Sequence, residues 1–355
     1  MSLKQQIIES LKKGEGTAAR ALNNLPVFML NKIPKILSYP YHYPKLDPFL
    51  KSLMALQYKQ GYTGFISKDI KQARNQFERQ MKVLATQPTY IKQVKDINVV
   101  IQKDVVKVRH YHPEPSKSLP MIVFYHGGGF VVGSIDTHDE VCRLLSISAN
   151  VQVLSVEYPL APESSPTDIL YLCEGVLEWI FENRHIFNIS VQGIAVSGDS
   201  AGGNIAAVIA QRAKEKAYAP QAQLLIYPVV DSKRHYPSKE LYKEGLVLTG
   251  LDLKIATQHY VEQHQAQLDD PMISPIYGNL QNLAPTYIVT AGHDVLHDEG
   301  EAYVDALSQC GVPVDYVEYS DQTHGFMNFT FISQRAKQIT IETAQSFRVF
   351  WDKHS

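Results

Sequence analysis

Short apolar runs alternate along this chain with segments that suit helices. Residues 121–125 and 151–157 are largely apolar, as expected of strands that are buried on both faces of a sheet. A helix is expected from about residue 136, and a second one is expected where Ser165 can cap it and Pro166 can open it. This alternation predicts an α/β fold in which a mostly parallel central sheet carries helices on both faces.

The first hundred residues follow a different pattern. Leu3, Ile7, Ile8 and Leu11 make one apolar helical face, whereas the prolines within 25–48 argue against one long helix there. Further on, Ser67 is placed to cap an amphipathic helix. Two strands near 96–112 show the irregular alternation that is typical of an antiparallel edge. We therefore expect helices before the sheet and an antiparallel pair at its edge.

Ser200 stands in the most informative stretch of the sequence, Gly198–Gly203 (GDSAGG). The residues before it read as a buried strand, and the alanine-rich residues after it favour a helix. A Gly-x-Ser-x-Gly between a strand and a helix is the nucleophile elbow of the α/β hydrolases, where glycines permit a sharp turn. The alternative is a glycine-rich turn with an incidental serine, so the hypothesis that Ser200 is a nucleophile depends on its partners.

A second glycine-rich motif, His126–Phe130 (HGGGF), follows the apolar strand 121–125. Three glycines allow backbone N–H groups to converge on one point, where they can stabilise a developing oxyanion. The expected donors are the N–H groups of Gly127, Gly128 and Ala201. A phosphate-binding loop is the alternative, but no Gly-Lys-Ser/Thr follows.

An activated serine also needs a base and an acid that orients the base. In α/β hydrolases these follow the serine in the order acid, then histidine. His324 fits that order, and Asp294 comes directly after a strand-like run, where α/β sheets place their chemistry. Asp298 is the alternative acid, although a carboxylate at that position suits a helix N-terminus. The predicted triad is Ser200, Asp294 and His324.

With these motifs the chain resembles the hormone-sensitive lipase family of carboxylesterases. The resemblance covers about residues 46–355 and rests on five ordered motifs, which are His126–Gly129, Tyr158–Glu163, Gly198–Asn204, Asp294 with Asp298–Gly300, and His324–Phe326. It implies an α/β-hydrolase fold with a helical cap, and hydrolysis of short- to medium-chain carboxylic esters without a cofactor. The chain departs from the family pattern at Val295, where proline is usual, and at His297, where arginine is usual.

The resemblance also suggests supporting residues and a division of the chain. His126, Asp199 and Glu163 are expected to hold the loops around the site. We expect an N-terminal extension (1–45), N-terminal cap helices (46–95) and a catalytic domain (96–355) with a cap insertion at about 232–272. The extension is longer than is usual in the family, and the sequence leaves three roles open for it, as a dimer arm, a cap extension or a membrane contact.

The chain has 355 residues, of which 45% are hydrophobic, and it can therefore bury the large core of one elaborated α/β domain. The three cysteines show no paired pattern and residues 1–13 contain no long apolar stretch, which together suggest a cytoplasmic protein rather than a secreted one. No metal is expected, because His110 and His112, close together on one strand, make only a weak metal-binding pattern and no His-Glu-x-x-His occurs. The expected partner is a small-molecule ester, and a homodimer is one open interpretation of the extension.

Charge is unevenly distributed. Residues 1–110 contain 19 Lys and Arg against 7 Asp and Glu, whereas the remainder contains 15 against 29. One interpretation is that a basic N-terminal region lies on an acidic catalytic body. The other is a basic face for an anionic membrane surface or an acidic substrate, which we favour less. Nucleic acid is not expected, because the basic residues are dispersed and no binding motif accompanies them.

Three other functions compete with ester hydrolysis. An amidase or deacetylase could use the same triad. A non-catalytic ligand-binding member of the family is disfavoured because His324 is present. A trypsin-like protease, which the Gly-Asp-Ser might suggest, requires its histidine and aspartate before the serine in sequence. The sequence therefore predicts a serine carboxylesterase, with the amidase as the main alternative.

Overall fold

The computed structural model describes residues 15–62 and 64–355, and for residues 15–17 it describes the backbone alone. The predicted apolar face of Leu3, Ile7, Ile8 and Leu11 lies outside the described residues, as does the whole stretch 1–13, in which a leader was not expected. Among the described residues, no helix combines the length and the apolar character that spanning a membrane requires.

Within residues 15–62 and 64–355, eight strands form one sheet. In chain order they are β1 (Gln93–Ile101), β2 (Asp104–His112), β3 (Leu119–Tyr125), β4 (Gln152–Val156), β5 (Ile189–Asp199), β6 (Ala222–Ile226), β7 (Thr286–His293) and β8 (Val314–Thr323). Their spatial order is β1-β2-β4-β3-β5-β6-β7-β8. The pairs β1–β2 and β2–β4 are antiparallel and the remaining pairs are parallel. The predictions of a mostly parallel sheet and of an antiparallel edge are both confirmed.

The described α-helices alternate with the strands after an N-terminal helical region. They are α1 (Glu15–Asn23), α2 (Val27–Leu30), α3 (Ile33–Ile36), α4 (Pro48–Lys59), α5 (Ile70–Leu84), α6 (Asp139–Ala149), α7 (Pro166–Glu182), α8 (Ala201–Ala213), α9 (Pro237–Leu241), α10 (Gly250–Tyr260), α11 (His297–Gln309) and α12 (Gln334–His354). Short 3-10 turns occur at Glu262–His264, Pro275–Tyr277 and Phe326–Phe329. As predicted, Ser165 caps α7 and Pro166 opens it.

The sheet has a hydrophobic core on each face. Met121, Val123 and Tyr125 of β3 belong to the core that contains α7, α8 and α11, whereas Ile122 and Phe124 belong to the core that contains α6 and α12. Successive side chains of a strand point to opposite faces, so a strand covered by helices on both sides must be apolar at every position. This is why 121–125 reads as an uninterrupted apolar run.

Two groups of helices, which we call the first and the second cap group, lie over the carboxyl ends of the central strands, around Ser200 and His324. The first consists of α1–α5, in which α1 packs against α4 and α5, and α2 and α3 pack against α4. The second comprises α9 and α10, within the stretch 232–272. The two groups touch where the Ile66 N–H donates to the Asp252 carboxylate at 2.8 Å. The Tyr43 hydroxyl also donates to the Glu244 carbonyl at 2.6 Å, so the N-terminal extension is fastened to the second group.

One predicted helix boundary is wrong. Asp69, rather than Ser67, is the N-cap of α5, and its carboxylate accepts a hydrogen bond from the Gln72 N–H at 3.0 Å. The Ser67 hydroxyl instead donates to the Asp69 carbonyl. Both residue types can cap a helix, and Asp69 is the one that lies within reach of the free N–H groups of the first turn.

Candidate active site

Ser200 lies between β5 and α8 in an unusual backbone conformation, with φ 54° and ψ −120°. A non-glycine residue adopts such angles only when its surroundings hold it there. Here the Ser200 N–H donates to the Ile226 carbonyl at 2.8 Å, and the Val229 N–H donates to the Ser200 carbonyl at 3.3 Å. Neighbouring β6 and the loop after it therefore fix the turn that presents the serine hydroxyl.

The two glycines of the Gly-x-Ser-x-Gly are required by close backbone contact. A Cβ at Gly202 would lie 1.9 Å from the Tyr125 carbonyl oxygen, and one at Gly198 would lie 2.3 Å from backbone atoms of Gly202. Distances below 3.0 Å are essentially never seen for real Cβ atoms. The elbow therefore depends on glycine because β3, β5 and α8 approach one another closely.

We expect Gly202→Ala to destabilise the protein by about 3 kcal/mol or more, because backbone rather than a flexible side chain must move. Gly311→Ala is the matched control, since its Cβ would meet open space and only its φ of +75° opposes alanine. That control should cost about 1 to 2 kcal/mol. Urea unfolding of the parent and both variants gives the loss in the free energy of unfolding for each substitution. Equal losses in the two variants would contradict the proposed clash at Gly202.

A hydrogen-bonded chain links Ser200 to His324 and Asp294. The Ser200 Oγ lies 2.8 Å from His324 Nε2, and His324 Nδ1 lies 2.6 Å from Asp294 Oδ2. All three residues are buried. β7 supplies Asp294 at its carboxyl end and the turn after β8 supplies His324, so the sheet brings together residues that are far apart in sequence.

Asp298, the alternative acid, lies elsewhere. It is in the first turn of α11, where its Oδ2 accepts a hydrogen bond from the Ser238 N–H at 2.9 Å and its Oδ1 lies 2.9 Å from His297 Nδ1. It thus fastens the second cap group to α11. Despite the Val295 departure from the family pattern, the geometry places Asp294 beside His324.

The glycine-rich loop differs from the prediction at one residue. The Gly127 N–H donates to Asp199 Oδ1 at 2.8 Å, so the predicted use of Gly127 as an oxyanion donor is wrong in this geometry. Gly128 and Gly129 adopt φ values of 122° and 60°, and each lines an open cavity that also has Ser200 in its wall. Within the described part of the chain, the N–H groups of Gly128, Gly129 and Ala201 donate no hydrogen bond. Gly129 was not among the predicted donors, because the three glycines are indistinguishable in sequence.

Asp199, the residue before the nucleophile, lies beside His138. Burial alone would raise the pKa of its carboxyl, but His138, 3.4 Å away, and the Gly127 N–H hold that pKa below its ordinary value. His126 stacks on Tyr158 with ring centroids 4.2 Å apart, and burial lowers the pKa of its imidazole to about 3, so it is neutral. These residues form a buried support for the glycine-rich loop. His138 and Tyr158 were not predicted as part of it.

Glu163 supports the loop from the protein surface rather than from beside the triad. It accepts two hydrogen bonds from Arg74 of α5, at 2.9 and 2.6 Å. Arg74 also donates to the carbonyls of Val131 and Ala161, each at 2.8 Å. This arginine therefore joins the first cap group to the loop that follows the glycines, and no motif in the sequence had pointed to it.

Glu299 is a further buried support. Its Oε1 accepts the Val230 N–H at 2.9 Å, and its Oε2 lies 2.8 Å from Lys239 Nζ. It thereby ties the start of α11 to the loop after β6.

Within the described residues, the group of potential metal ligands that lie close together is His297, Asp298 and Glu301. Their mutual contacts and the bond to Ser238 already account for this surface group.

Two open cavities meet at Ser200. The first, which we call the apolar cavity, has about 1020 Å³ of empty space and reaches Ser200 and His324 from beneath the first cap group. Its apolar wall consists mainly of Ala18, Ala19, Leu53, Leu56, Phe65, Phe77, Met81, Leu84 and Phe329. The second, which we call the charged cavity, has about 1110 Å³ and lies beneath the second cap group. Its wall differs from that of the apolar cavity in its charged side chains, which are Asp231, Lys233, Arg234, Lys239, Asp252, Lys254, Glu262 and Glu299. Apolar and aromatic side chains, among them Phe65, Ile66, Phe130, Leu248, Leu253 and Leu296, line much of the rest of it.

The fold and the Ser–His–Asp chain at its strand ends define the α/β-hydrolase class. Comparison with known proteins agrees, because residues 122–328 match the family model of the alpha/beta hydrolase fold. The carboxylic ester hydrolase LipN of Mycobacterium tuberculosis is 35% identical over 290 residues, which are 80% of this chain and 77% of LipN. Ethyl acetate hydrolase of Pseudomonas putida is 34% identical, over 75% of this chain and 86% of its own.

Solved structures give the same result. An esterase from the archaeon Pyrobaculum calidifontis superimposes with a TM-score of 0.75 at 36% identity, covering 79% of this chain and 93% of its own. The chain belongs to the alpha/beta hydrolase fold family, among its hormone-sensitive-lipase-like carboxylesterases. It is a serine carboxylic ester hydrolase, and the predicted fold class and reaction class are confirmed.

Proposed function

We propose that the protein hydrolyses short- to medium-chain carboxylic esters through an acyl-enzyme on Ser200. Ser200 Oγ attacks the ester carbonyl carbon while His324 Nε2 takes its proton. Asp294 accepts the Nδ1–H bond, which selects the productive tautomer and stabilises the imidazolium. The observation that carries this proposal is the hydrogen-bonded chain of Ser200, His324 and Asp294 where two open cavities meet.

The negative charge that develops on the carbonyl oxygen requires preorganised donors. We assign this role to the N–H groups of Gly128, Gly129 and Ala201. Collapse of the tetrahedral intermediate breaks the ester C–O bond, and His324 gives its proton to the leaving alcohol. A water molecule then attacks the acyl-enzyme with His324 again as the base, which releases the carboxylic acid and restores Ser200.

The two cavities suggest where the halves of the substrate bind. The apolar cavity suits a hydrocarbon acyl chain, which gains about 0.8 kcal/mol for each buried methylene. The charged cavity suits the more polar alcohol half, which must leave after the first step. The substrate is accordingly a small-molecule ester. The cytoplasmic location, the homodimer and the membrane contact stay predictions from the sequence.

Acyl length gives the direct test. With p-nitrophenyl esters from acetate to palmitate, kcat/KM should rise by up to about fourfold per methylene while the chain finds apolar wall. It should then fall once the chain meets the end of the cavity, giving a maximum at a short or medium chain. A rise that continues to the palmitate, together with hydrolysis of long emulsified triglycerides, would contradict the esterase and favour a lipase.

The amidase alternative is tested in the same assay. A p-nitroanilide with the same acyl group as the best ester isolates the leaving group, because the acyl half is unchanged. We expect hydrolysis of the anilide to be slower by several orders of magnitude. Comparable kcat/KM values for the two substrates would instead favour the amidase or deacetylase.

A further inference from the structure

The N-terminal extension contributes directly to the apolar cavity. Ala18 and Ala19 of α1 are buried, with 3% and 2% of their surface exposed, and both line the cavity that reaches Ser200 and His324. Of the three roles that the sequence left open for the extension, this position suits a cap extension. The described part of the extension therefore forms part of the wall of the apolar cavity.

The helix α1 is fixed against the other cavity walls. Its buried residues share a hydrophobic core with Leu53 and Leu56 of α4. The Arg20 guanidinium donates to the Val83 carbonyl of α5 at 3.1 Å, across a sequence separation of 63 residues. Residues of α4 and α5 also line the cavity, so these contacts hold α1 in place against two of the other walls.

The residue type at the wall sets how much space remains. Alanine contributes a single methyl group, so α1 leaves room that a larger side chain would occupy. In contrast, α4 and α5 present bulky side chains to the same cavity, among them Leu56, Phe77 and Met81. Protein interiors are closely packed, so carbon atoms that are added to the wall of a cavity take up volume that the ligand would otherwise occupy.

We propose that α1 sets the upper limit of acyl-chain length and that Ala18 and Ala19 are specificity-determining residues. This rests on the proposed function, in which the apolar cavity holds the acyl chain. Leucine in place of either alanine adds three carbon atoms to the wall. Long acyl chains should then lose contact with the cavity, whereas an acetyl group next to Ser200 should not reach the altered wall.

The test compares Ala18→Leu and Ala19→Leu with Ala21→Leu, a control on the same helix that is half-buried and is not part of the described cavity wall. For each variant, kcat/KM is measured for p-nitrophenyl acetate, butyrate, octanoate and decanoate. We expect the two wall variants to lose at least tenfold on the decanoate, at about fourfold per excluded methylene. Acetate should stay within about threefold of the parent, and the control should keep the parent profile throughout.

Folding and the chemistry are checked separately. Circular dichroism and active-site titration with a fluorophosphonate give the fraction of folded, reactive enzyme, and valine replaces leucine at either position where the leucine variant does not fold. An unchanged length profile in the wall variants, or an equal loss at every length, would overturn the proposal. Alkyl acetates of graded alcohol length are measured alongside, and a change confined to the alcohol length would also overturn the proposal. A parent that hydrolyses none of these esters would instead overturn the proposed function.

Discussion

Ser200→Ala should lower kcat by about 10⁴ to 10⁶ while leaving the fold intact, because removing the nucleophile from a triad disables the whole unit. The alanine removes only a hydroxyl from a turn that backbone hydrogen bonds to Ile226 and Val229 hold in place. Steady-state hydrolysis of p-nitrophenyl butyrate gives the loss. A fluorophosphonate probe should label the parent and not the variant.

Ser197→Ala is the matched control for this substitution. Ser197 lies three residues earlier on β5, is fully buried, and has an Oγ without a hydrogen-bond partner in the described structure. The same change there should leave kcat within about threefold of the parent, since no interaction with the triad is removed. Near-parent activity in Ser200→Ala, or loss of probe labelling in Ser197→Ala, would refute the assignment of the nucleophile.

Asp294→Asn should lower kcat by about 10⁴, because an amide preserves the shape of the carboxylate but favours the wrong tautomer of His324. The 2.6 Å contact between Asp294 Oδ2 and His324 Nδ1 is the interaction that the change alters. Esterase kinetics at a temperature where circular dichroism shows a folded variant measures the effect on catalysis alone.

The control is the same substitution four residues later, at Asp298. Asp298→Asn removes a charge from the first turn of α11 and weakens the bond to the Ser238 N–H. This should cost about 1 kcal/mol in the free energy of unfolding, with most of the activity retained. If Asp298→Asn lost the activity and Asp294→Asn kept it, the triad acid would have to be reassigned to Asp298.

The sequence was most informative where local chemistry is specific. The apolar run 121–125 indicated a strand covered on both faces, and Ser165 followed by Pro166 indicated the start of α7, because these patterns follow from the geometry of a few neighbouring residues. Gly198 and Gly202 marked the elbow because the tight approach of backbones there permits no Cβ. Ordered motifs around Ser200, Asp294 and His324 also sufficed to predict the reaction class.

Contacts between distant segments were decided by the tertiary structure. Whether Gly127 or Gly129 keeps a free N–H depends on Asp199, which accepts the Gly127 bond across 72 residues of sequence. That Arg74 holds Glu163 depends likewise on how α5 packs on the body. The place of Ala18 and Ala19 in the apolar cavity depends on the packing of α1 against α4 and α5. A motif fixes which groups can react or bond locally, whereas the partner each group meets is fixed only when the chain packs.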